Sequence, residues 1–353
     1  MNKLSEYGWN SYFEAMFEEF SGKEFLPARI SVEHRNYYEL YSDDGKLKAE
    51  KASNIFTKLN EIPSVGDWAA VSKTGSENCV RIEAILSRFN KFSRKQAGVV
   101  TEEQVMAANL DYLFVVTSLN NELNVRRLER YLTLAWDNKI KPVIILNKTD
   151  LVEDYSDILS EIESISFGTP VFAVSALKNS GIENILALLK DNKTGAVVGS
   201  SGVGKSTLIN SMLSSSKMKV NELSDYKDRG KHTTTHREMI LLPGGGIIID
   251  TPGIREIQLW EGEEGLSRMF EDIEKLVLEC KFSDCKHESE PGCAVREAIS
   301  KGQLEEDRFK SYRKLLNEIK YFERKQDKKA QLVEKKKWKK ITSEAKKKSK
   351  EKF

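Results

Sequence analysis

Between the apolar run Ala196-Val197-Val198 and a helix-like segment that starts at Thr207, the sequence reads Gly199-Ser200-Ser201-Gly202-Val203-Gly204-Lys205-Ser206. A strand, a glycine-rich loop and a helix in this order are the context in which G-x-x-x-x-G-K-S binds phosphate. Backbone N–H groups of such a loop point at phosphate oxygens, and the helix adds the positive end of its dipole. Lys205 then reaches the outer phosphates, the Ser206 hydroxyl ligates Mg²⁺, and Thr207 belongs to the same site. An ordinary Gly/Ser turn between a strand and a helix is the alternative.

The composition limits what can surround this loop. The chain has 353 residues, so we expect two or three domains. Its formal net charge of +2 hides an uneven distribution, because residues 326–353 are rich in Lys and the remainder is mildly acidic. A basic tail on an acidic body predicts a polyanionic partner.

The sequence indicates neither export nor membrane insertion. No apolar run approaches the roughly 20 residues that span a bilayer. Acidic residues interrupt the apolar core that a signal peptide would need, namely Glu6, Glu14, Glu18 and Glu19. We therefore expect a cytoplasmic monomer with no membrane partner. The four Cys residues are then reduced, and a cluster of them is more typical of a metal site than of disulfides.

The first 92 residues predict a helix followed by a small barrel. Residues 4–20 place large apolar side chains at helical spacing, which is typical of the buried side of a docked helix. Short β-like runs follow at 28–32, 37–41, 65–71 and 80–86. Several short strands at this spacing favour an OB-fold, whose curved face suits nucleic acid. An SH3-like or purely structural barrel is left open, because periodicity does not separate these alternatives.

Beyond Gln104, strands and helices alternate. Apolar runs at 112–116, 142–146 and 171–174 predict buried parallel strands. Open α/β sheets bind ligands at the carboxyl ends of their strands. Two polar motifs occur at such ends, Asn147-Lys148-Thr149-Asp150 after the second strand and Ser175-Ala176 after the third.

These two motifs predict a site for guanine. The Asp150 carboxylate can accept hydrogen bonds from N1–H and the 2-amino group of guanine, whereas adenine would leave it unpaired. A site that pairs such groups rejects the analogue lacking them by about 10⁴-fold or more. Asn147 would join neighbouring loops, the stem of Lys148 would cover the base, and Ser175-Ala176 would offer an N–H to the guanine O6. Alone, Asn-Lys-x-Asp is an ordinary turn, but here a phosphate loop follows.

Two motifs after the phosphate loop predict the switches of a GTPase. A Thr of the triplet 233–235, with Thr234 and Thr235 as candidates, would complete the Mg²⁺ shell from the γ-phosphate side, and hydrolysis would break this interaction. Asp250 would hold a water bound to Mg²⁺, and the Gly253 N–H would sense the γ-phosphate. The base-reading motifs precede the phosphate loop, whereas conventional small GTPases have them after it. We interpret this order as a circular permutation, which leaves the geometry of the pocket intact.

Hydrolysis is expected to depend on a partner. The residue after Gly253 is Ile254, where many GTPases have a Gln that orients the attacking water. An aliphatic side chain cannot orient water, so intrinsic turnover should be slow. His232 or His236 is our candidate for the group that a bound partner brings toward the water.

The C-terminal part of the sequence predicts a zinc site. Cys280, Cys285, His287 and Cys293 fall within fourteen positions. Three thiolates and one imidazole suit a closed tetrahedral site for one structural Zn²⁺, although incidental clustering of core cysteines is an alternative. Cys79 is expected in the barrel. Residues 294–325 are expected to be helical, and the Lys-rich tail after them is either a solvated helix face or a contact to a phosphate backbone.

These motifs together resemble the ribosome small-subunit-dependent GTPase A family, bacterial circularly permuted GTPases that act in late small-subunit assembly. The matching segments are Val65-Gly66-Asp67-Trp68, Gln104 with Ala107-Ala108-Asn109-x-Asp111, Asn147–Asp150, Gly202–Ser206, Gly230–Thr235, Asp250–Gly253, and the four metal ligands with Glu290-Pro291-Gly292. The resemblance implies an OB-fold and a zinc domain that both contact rRNA, with a GTPase between them. The barrel lacks the strongly basic stretch of the family and has scattered Lys46, Lys48, Lys51 and Lys58 instead.

We therefore predict a multidomain α/β protein that binds GTP or GDP, with the small ribosomal subunit and its rRNA as partners. The predicted segments are an N-terminal helical extension at 1–24, an OB-like barrel at 25–98, a circularly permuted P-loop GTPase domain at 99–258, a helical zinc-binding domain at 259–325 and the tail at 326–353. The predicted activity is GTP hydrolysis stimulated by the small subunit. One alternative is a GTP-gated RNA-binding module in which hydrolysis is incidental, and another is a P-loop enzyme acting on a small substrate.

Overall fold

The computed structural model describes residues 3–51, 61–95, 103–119, 123–166, 168–217, 237–251, 263–321 and 324. The chain divides into two compact units, Met1–Gln258 and Leu259–Phe353. The strands are β1 Leu26–Glu33, β2 Tyr37–Ser42, β3 Gly45–Glu50, β4 Trp68–Lys73, β5 Cys79–Ile85, β6 Lys91–Lys95, β7 Glu103–Ala108, β8 Tyr112–Ser118, β9 Lys141–Asn147, β10 Val171–Ala173, β11 Thr194–Gly199, β12 Glu238–Leu241 and β13 Ile247–Asp250. The helices are α1 Lys3–Glu6, α2 Ser11–Phe17, α3 Val125–Asp137, α4 Ser156–Ile165, α5 Ile182–Leu188, α6 Lys205–Lys217, α7 Glu263–Met269, α8 Glu271–Leu278, α9 Ala294–Ser300 and α10 at 306–321.

Five strands form a closed barrel in the order β1-β2-β3-β5-β4, with β4 pairing back onto β1. The pairing of β3 with β5 is parallel, and the other four pairings are antiparallel. Inward-facing apolar residues such as Ile30, Leu40, Leu47 and Val71 fill its interior. The structure confirms the predicted OB-like barrel and adds β3, a strand that the sequence pattern did not predict.

The aromatic N-terminal segment docks on this barrel, as its buried stripe predicts. Phe13 and Trp68 are fully buried, and the rings of Trp9 and Trp68 meet edge to face at 4.7 Å between centroids. The prediction of one helix over 4–20 is wrong, because the chain forms α1, α2 and a 3₁₀ turn at Glu18–Phe20. Asn10 causes the break: its backbone is extended, and its side chain accepts hydrogen bonds from the N–H groups that begin α2.

Six further strands of this unit pair in the order β10-β9-β8-β11-β13-β12, and β6 and β7 form a separate two-stranded sheet. All neighbours are parallel except β12, which is antiparallel to β13. The strand β11, which precedes the glycine-rich loop, therefore lies in the middle of the sheet although it follows β8, β9 and β10 in the chain. Buried aliphatic residues cover this sheet, as expected for parallel strands. This order is the one that the predicted circular permutation requires.

The barrel and the parallel sheet are joined as one 11-stranded sheet, because β1 also pairs with β12 at Val32 and Glu238. A buried polar junction reinforces this connection. Arg29 donates hydrogen bonds to the carbonyl oxygens of Gly66 (3.2 Å) and Asn109 (3.3 Å), and burial lowers the pKa of its guanidinium to about 10. Two of the segments that resemble the family, those around Gly66 and Asn109, thus meet in one junction.

Asp67 belongs to the same junction. It is fully buried and accepts two hydrogen bonds from Arg88, at 2.6 and 2.7 Å. A buried carboxylate needs such a partner, because an unpaired charge in the interior is costly. The pair therefore fixes the start of β4 against the chain that leaves β5.

The C-terminal unit packs α10 against α8. Arg308 of α10 forms a two-pronged ion pair with Asp272, at 2.9 and 3.0 Å, and its guanidinium covers the ring of Phe270. The prediction of one helix over 294–325 is wrong, since α9 ends at Ser300. The chain turns there because the N–H groups of Gln303 and Leu304 donate back to the Ala298 carbonyl, which buries Leu304. Among the described residues, no helix is long and apolar enough to cross a lipid bilayer.

Candidate nucleotide site and metal centre

The carboxyl ends of β8, β9, β11 and β13 lie side by side, because these strands are parallel neighbours. Three of these ends carry a predicted site segment: Asn147 ends β9, Gly199 ends β11, and Asp250 ends β13. The loops that carry the sequence motifs are therefore brought to one edge of the sheet, which is where α/β folds bind ligands.

Asn147 connects three of these loops through its buried side chain. Its amide nitrogen donates to the Val203 carbonyl in the glycine-rich loop at 2.9 Å, and its amide oxygen accepts from the Ala176 N–H at 3.1 Å. The bond to Val203 joins Asn147 to the phosphate loop across 56 positions, and the bond from Ala176 joins the two base-reading motifs across 29 positions. Together the two bonds fix both motifs to the phosphate loop. Gly204 is required at this contact, since its φ is +95° and a Cβ there would overlap the Asn147 amide nitrogen.

The Asp150 carboxylate is held in place from the adjacent loop. The Ser175 hydroxyl donates to Asp150 Oδ1 at 2.5 Å and accepts from the Lys178 N–H at 3.2 Å. Lys148 takes a left-handed backbone conformation with φ of 68°, which begins the turn at Thr149–Leu151. Asp150 is half-buried, so part of the residue is exposed at this edge of the sheet.

The side chain of Lys205 folds back onto the backbone of the glycine-rich loop. The Lys205 ammonium donates to the carbonyls of Gly199 (2.8 Å) and Ser200 (2.6 Å). Ser201 and Gly202 of the loop and Ser206 and Thr207 at the start of α6 are all exposed. A loop of this shape, with a helix of 13 residues after it, can attract phosphate through both backbone N–H groups and the ammonium.

Asp250 lies beside the phosphate-loop strand. It is 8% exposed and is the register partner of Val197 in β11. The next residue, Thr251, donates its hydroxyl to the Val197 carbonyl at 2.8 Å. This contact fixes the exit of β13 against β11, just before the segment that carries Gly253. His232, Thr233, Thr234, Thr235, His236, Gly253, Ile254 and the tail at 326–353 lie outside the described side chains.

One cation at this edge was not predicted from the sequence. Arg127, in the first turn of α3, contacts the Ser200 hydroxyl through Nη1. The sequence offers little indication of this role, because a charged residue on an amphipathic helix usually faces solvent. The helix follows β8, and β8 is the neighbour of β11, so topology rather than a motif brings Arg127 to the loop.

The predicted metal ligands converge in the C-terminal unit. The ligand atoms of Cys280, Cys285, His287 and Cys293 all lie within 4.8 Å of one another. Cys280 Sγ is 3.5 Å from His287 Nδ1 and 3.9 Å from Cys293 Sγ. Donors around a tetrahedral Zn²⁺ are about 3.5–3.8 Å apart, given the usual zinc–sulfur and zinc–nitrogen bond lengths. The residues therefore fit Zn²⁺ both in donor type and in spacing.

Glu290 organises the loop between the last two ligands. Its carboxylate accepts hydrogen bonds from the N–H groups of Lys286 (3.0 Å), Glu288 (2.9 Å) and Ser289 (3.0 Å). These bonds, that from Lys286 above all, lower the pKa of Glu290 to about 2. The carboxylate therefore stays ionised, and the loop that presents His287 keeps its shape, across the neutral and mildly acidic range.

A parallel sheet with a central phosphate-loop strand, and base-reading loops fixed to that loop, defines a circularly permuted P-loop GTPase. Comparison with known proteins agrees. The family model described as RsgA GTPase matches residues 85–260, and a model described as 50S ribosome-binding GTPase matches residues 194–336.

Relatives match over nearly the whole chain. Small ribosomal subunit biogenesis GTPase RsgA 1 of Oceanobacillus iheyensis is 43% identical over 332 residues, covering 93% of this chain and 95% of that protein. RsgA of Opitutus terrae is 40% identical, covering 96% and 95%. The crystal structure of YjeQ from Thermotoga maritima gives a TM-score of 0.62 at 28% identity, covering 84% of this chain and 98% of that one. YloQ, a circularly permuted GTPase, gives 0.60 at 26%, covering 85% and 96%.

The chain belongs to the RsgA GTPase family. It is a GTP hydrolase, and it binds GTP and GDP.

Proposed function

We propose that this GTPase acts in maturation of the small ribosomal subunit, by binding rRNA in a manner gated by its nucleotide and by hydrolysing GTP when the subunit is bound. The observation that carries the proposal is the Asn147 side chain, which ties the base-reading loops to the phosphate loop. A guanine base and its phosphates can then be bound by loops whose separation is fixed. The small ribosomal subunit is proposed as the partner because the relatives are named small ribosomal subunit biogenesis GTPases.

Within this proposal the residues of the site divide the work of binding and hydrolysis among them. Asn147, Lys148, Asp150, Ser175 and Ala176 bind guanine, and residues 199–207 bind the phosphates. The residues that would hold Mg²⁺, directly or through water, are Ser206, Thr234 and Asp250. Mg²⁺ held there would neutralise charge on the phosphates. Gly253 senses the γ-phosphate, and His232 is the candidate for orienting water.

The C-terminal cluster is proposed to hold one structural Zn²⁺ through Cys280, Cys285, His287 and Cys293. Four protein ligands close the coordination shell, so this ion serves folding and not catalysis. Phe309 of α10 meets the His287 ring edge to face at 5.8 Å. Zinc would thereby connect the ligand loop to the helix on which it rests.

We propose that the barrel and the C-terminal unit both contact rRNA. On strands β2 and β3 of the barrel, the Lys48 ammonium covers the ring of Tyr37 at 4.0 Å, and Lys46 lies 5.9 Å from the ring of Tyr41. Cations and aromatic rings on this face of an OB-fold suit a nucleic-acid backbone and its bases. We further propose that the protein is a cytoplasmic monomer. Its proposed segments are the N-terminal extension 1–24, the barrel 25–98, the GTPase domain 99–258, the zinc-binding domain 259–325 and the tail 326–353.

The test is GTP turnover with and without purified small subunits. We expect slow intrinsic turnover and an increase of at least about tenfold with small subunits, while purified large subunits and ATP serve as controls. The large-subunit control matters because one matching family model is described as 50S ribosome-binding. Equal rates with and without small subunits would contradict the proposal. Stimulation by large subunits but not by small subunits would identify the large subunit as the partner instead.

A Lys205→Ala variant separates the proposal from its alternative. The substitution removes the ammonium that contacts the loop carbonyls of Gly199 and Ser200, so hydrolysis should be lost. If this variant still completed subunit maturation, hydrolysis would be incidental and the chain would act as a GTP-gated RNA-binding module.

A further inference from the structure

Arg127 is placed at the phosphate loop by the way α3 begins. The Asn124 side chain caps the helix by accepting the Arg127 N–H at 3.0 Å. Leu128 and Tyr131 are buried, and they fix which face of the helix turns inward. The Arg127 side chain then reaches across to the Ser200 hydroxyl.

Two cations meet on Ser200. Its carbonyl oxygen accepts from the Lys205 ammonium at 2.6 Å, while its hydroxyl is contacted by the Arg127 guanidinium. Ser200 is the second residue of the loop, so both positive charges lie at the surface that receives phosphate. Two like charges that contact the same residue repel each other, and a bound polyphosphate relieves that repulsion.

The neighbouring Arg126 differs in this respect. It pairs with the buried carboxylate of Glu129, at 3.1 and 3.2 Å, so its charge is compensated within the helix. Within the described ranges, no carboxylate pairs with Arg127. A guanidinium left with a neutral partner at a phosphate site is available to attract anions, and its planar donors match phosphate oxygens.

We propose that Arg127 is a positioning residue of the phosphate site. Through Ser200 it holds the start of the phosphate loop, and its charge favours the triphosphate over the diphosphate. The inference rests on the proposed nucleotide site and adds to it a cation from a different helix, supplied by the same chain.

The test measures the affinities for GTP and GDP of the full chain by calorimetry, in five variants: R127A, R127K, S200A, the double variant R127A/S200A, and R81A. Arg81 is an exposed arginine of β5 in the barrel and is the matched control. We expect R127A to weaken GTP binding about tenfold and GDP binding about threefold, because the triphosphate carries more charge. R127K should recover part of the loss, and R81A should equal the parent.

The double variant asks whether Arg127 acts through Ser200. If it does, R127A/S200A loses no more affinity than R127A alone. Losses that multiply in the double variant, equal losses for GTP and GDP in R127A, or affinities in R127A equal to the parent would each overturn the inference. A parent protein that binds neither nucleotide would contradict the nucleotide site itself and remove this inference with it.

Discussion

Arg237 reaches from the parallel sheet to the barrel: its Nη1 lies 3.2 Å from Glu33 Oε2 and 2.8 Å from the Val105 carbonyl. Glu33 also pairs with Lys51 at 2.9 Å, so one carboxylate joins cations from two parts of the chain. Arg237 directly follows the segment that carries the predicted Thr switch. We therefore expect a change in the predicted switch on nucleotide exchange to reach the barrel through Arg237.

The first prediction is that a Glu33→Gln variant uncouples the barrel from the switch. The amide keeps the shape of the side chain but loses the charge that holds Arg237 and Lys51. We expect subunit-stimulated GTP turnover to fall roughly fivefold, equivalent to about 1 kcal/mol of coupling, with GDP affinity unchanged. Glu39→Gln, which disturbs a pair with His34 within the barrel, is the control. Unchanged stimulation in Glu33→Gln would show that the contact transmits nothing.

A second prediction concerns Asn147. Replacing it by Ala removes both the bond to the Val203 carbonyl and the bond from the Ala176 N–H. The loss of each bond leaves a buried backbone group without its partner, which costs about 1–3 kcal/mol of free energy. We therefore expect GDP affinity to fall by about 100-fold or more. Calorimetric titration with GDP measures this loss. The exposed Asn36 of the barrel gives the matched variant Asn36→Ala, and a similar affinity in both variants would refute the role of Asn147.

A third prediction is that the purified protein contains one zinc per chain. Metal analysis of a Cys285→Ser variant should show most of that zinc lost, with a C-terminal unit that is cleaved more readily by protease. Cys79→Ser is the matched control, because Cys79 lies in β5 of the barrel and outside the cluster. Full zinc content in Cys285→Ser, or equal loss in Cys79→Ser, would rule out the assigned ligand set.

The fourth prediction tests the junction between barrel and sheet. Gly66 has φ of +94°, and a Cβ there would overlap the Ala108 carbonyl oxygen. Gly75 provides the matched control, because its φ is also positive, at +78°, but nothing lies within 4 Å of its Cβ position. Gly75→Ala should therefore lower the unfolding free energy only through backbone strain, by about 1 kcal/mol. Gly66→Ala adds the clash, and we expect a loss of about 3 kcal/mol or more in unfolding free energy. Equal midpoints in urea for the two variants would contradict this account.

The parallel sheet and the nucleotide loops were predictable from the sequence because their signals are local. Apolar runs of four or five residues mark the strands, and motifs such as Asn147–Asp150 follow directly at their ends. The permuted order also follows from the chain order of the motifs. The strand β3 was missed although Lys46, Leu47, Lys48 and Ala49 alternate between polar and apolar, as in a half-buried strand, because the run is short and begins directly at the Asp43-Asp44-Gly45 turn.

Contacts between distant segments were not predictable. Arg127 meets Ser200 across 73 positions, and Arg237 meets Glu33 across 204. Such pairs depend on which strands become neighbours, and no local pattern encodes that choice. The break at Asn10 was missed for a different reason, because the aromatic stripe continues through it and hides the helix cap.

The permuted strand order has a consequence during synthesis on the ribosome. Asn147 is made roughly 50 residues before the phosphate loop, which corresponds to about 3–10 seconds of translation at about 5–20 residues per second. Throughout that interval the nascent chain has β8 and β9 but lacks β11, so one apolar edge of β8 has no neighbour. Such an unpaired edge can pair with other chains. The emergence of residues 194–199 covers the edge of β8 in the same step that delivers the phosphate loop, and the open edge then moves to β11 until β13 is made.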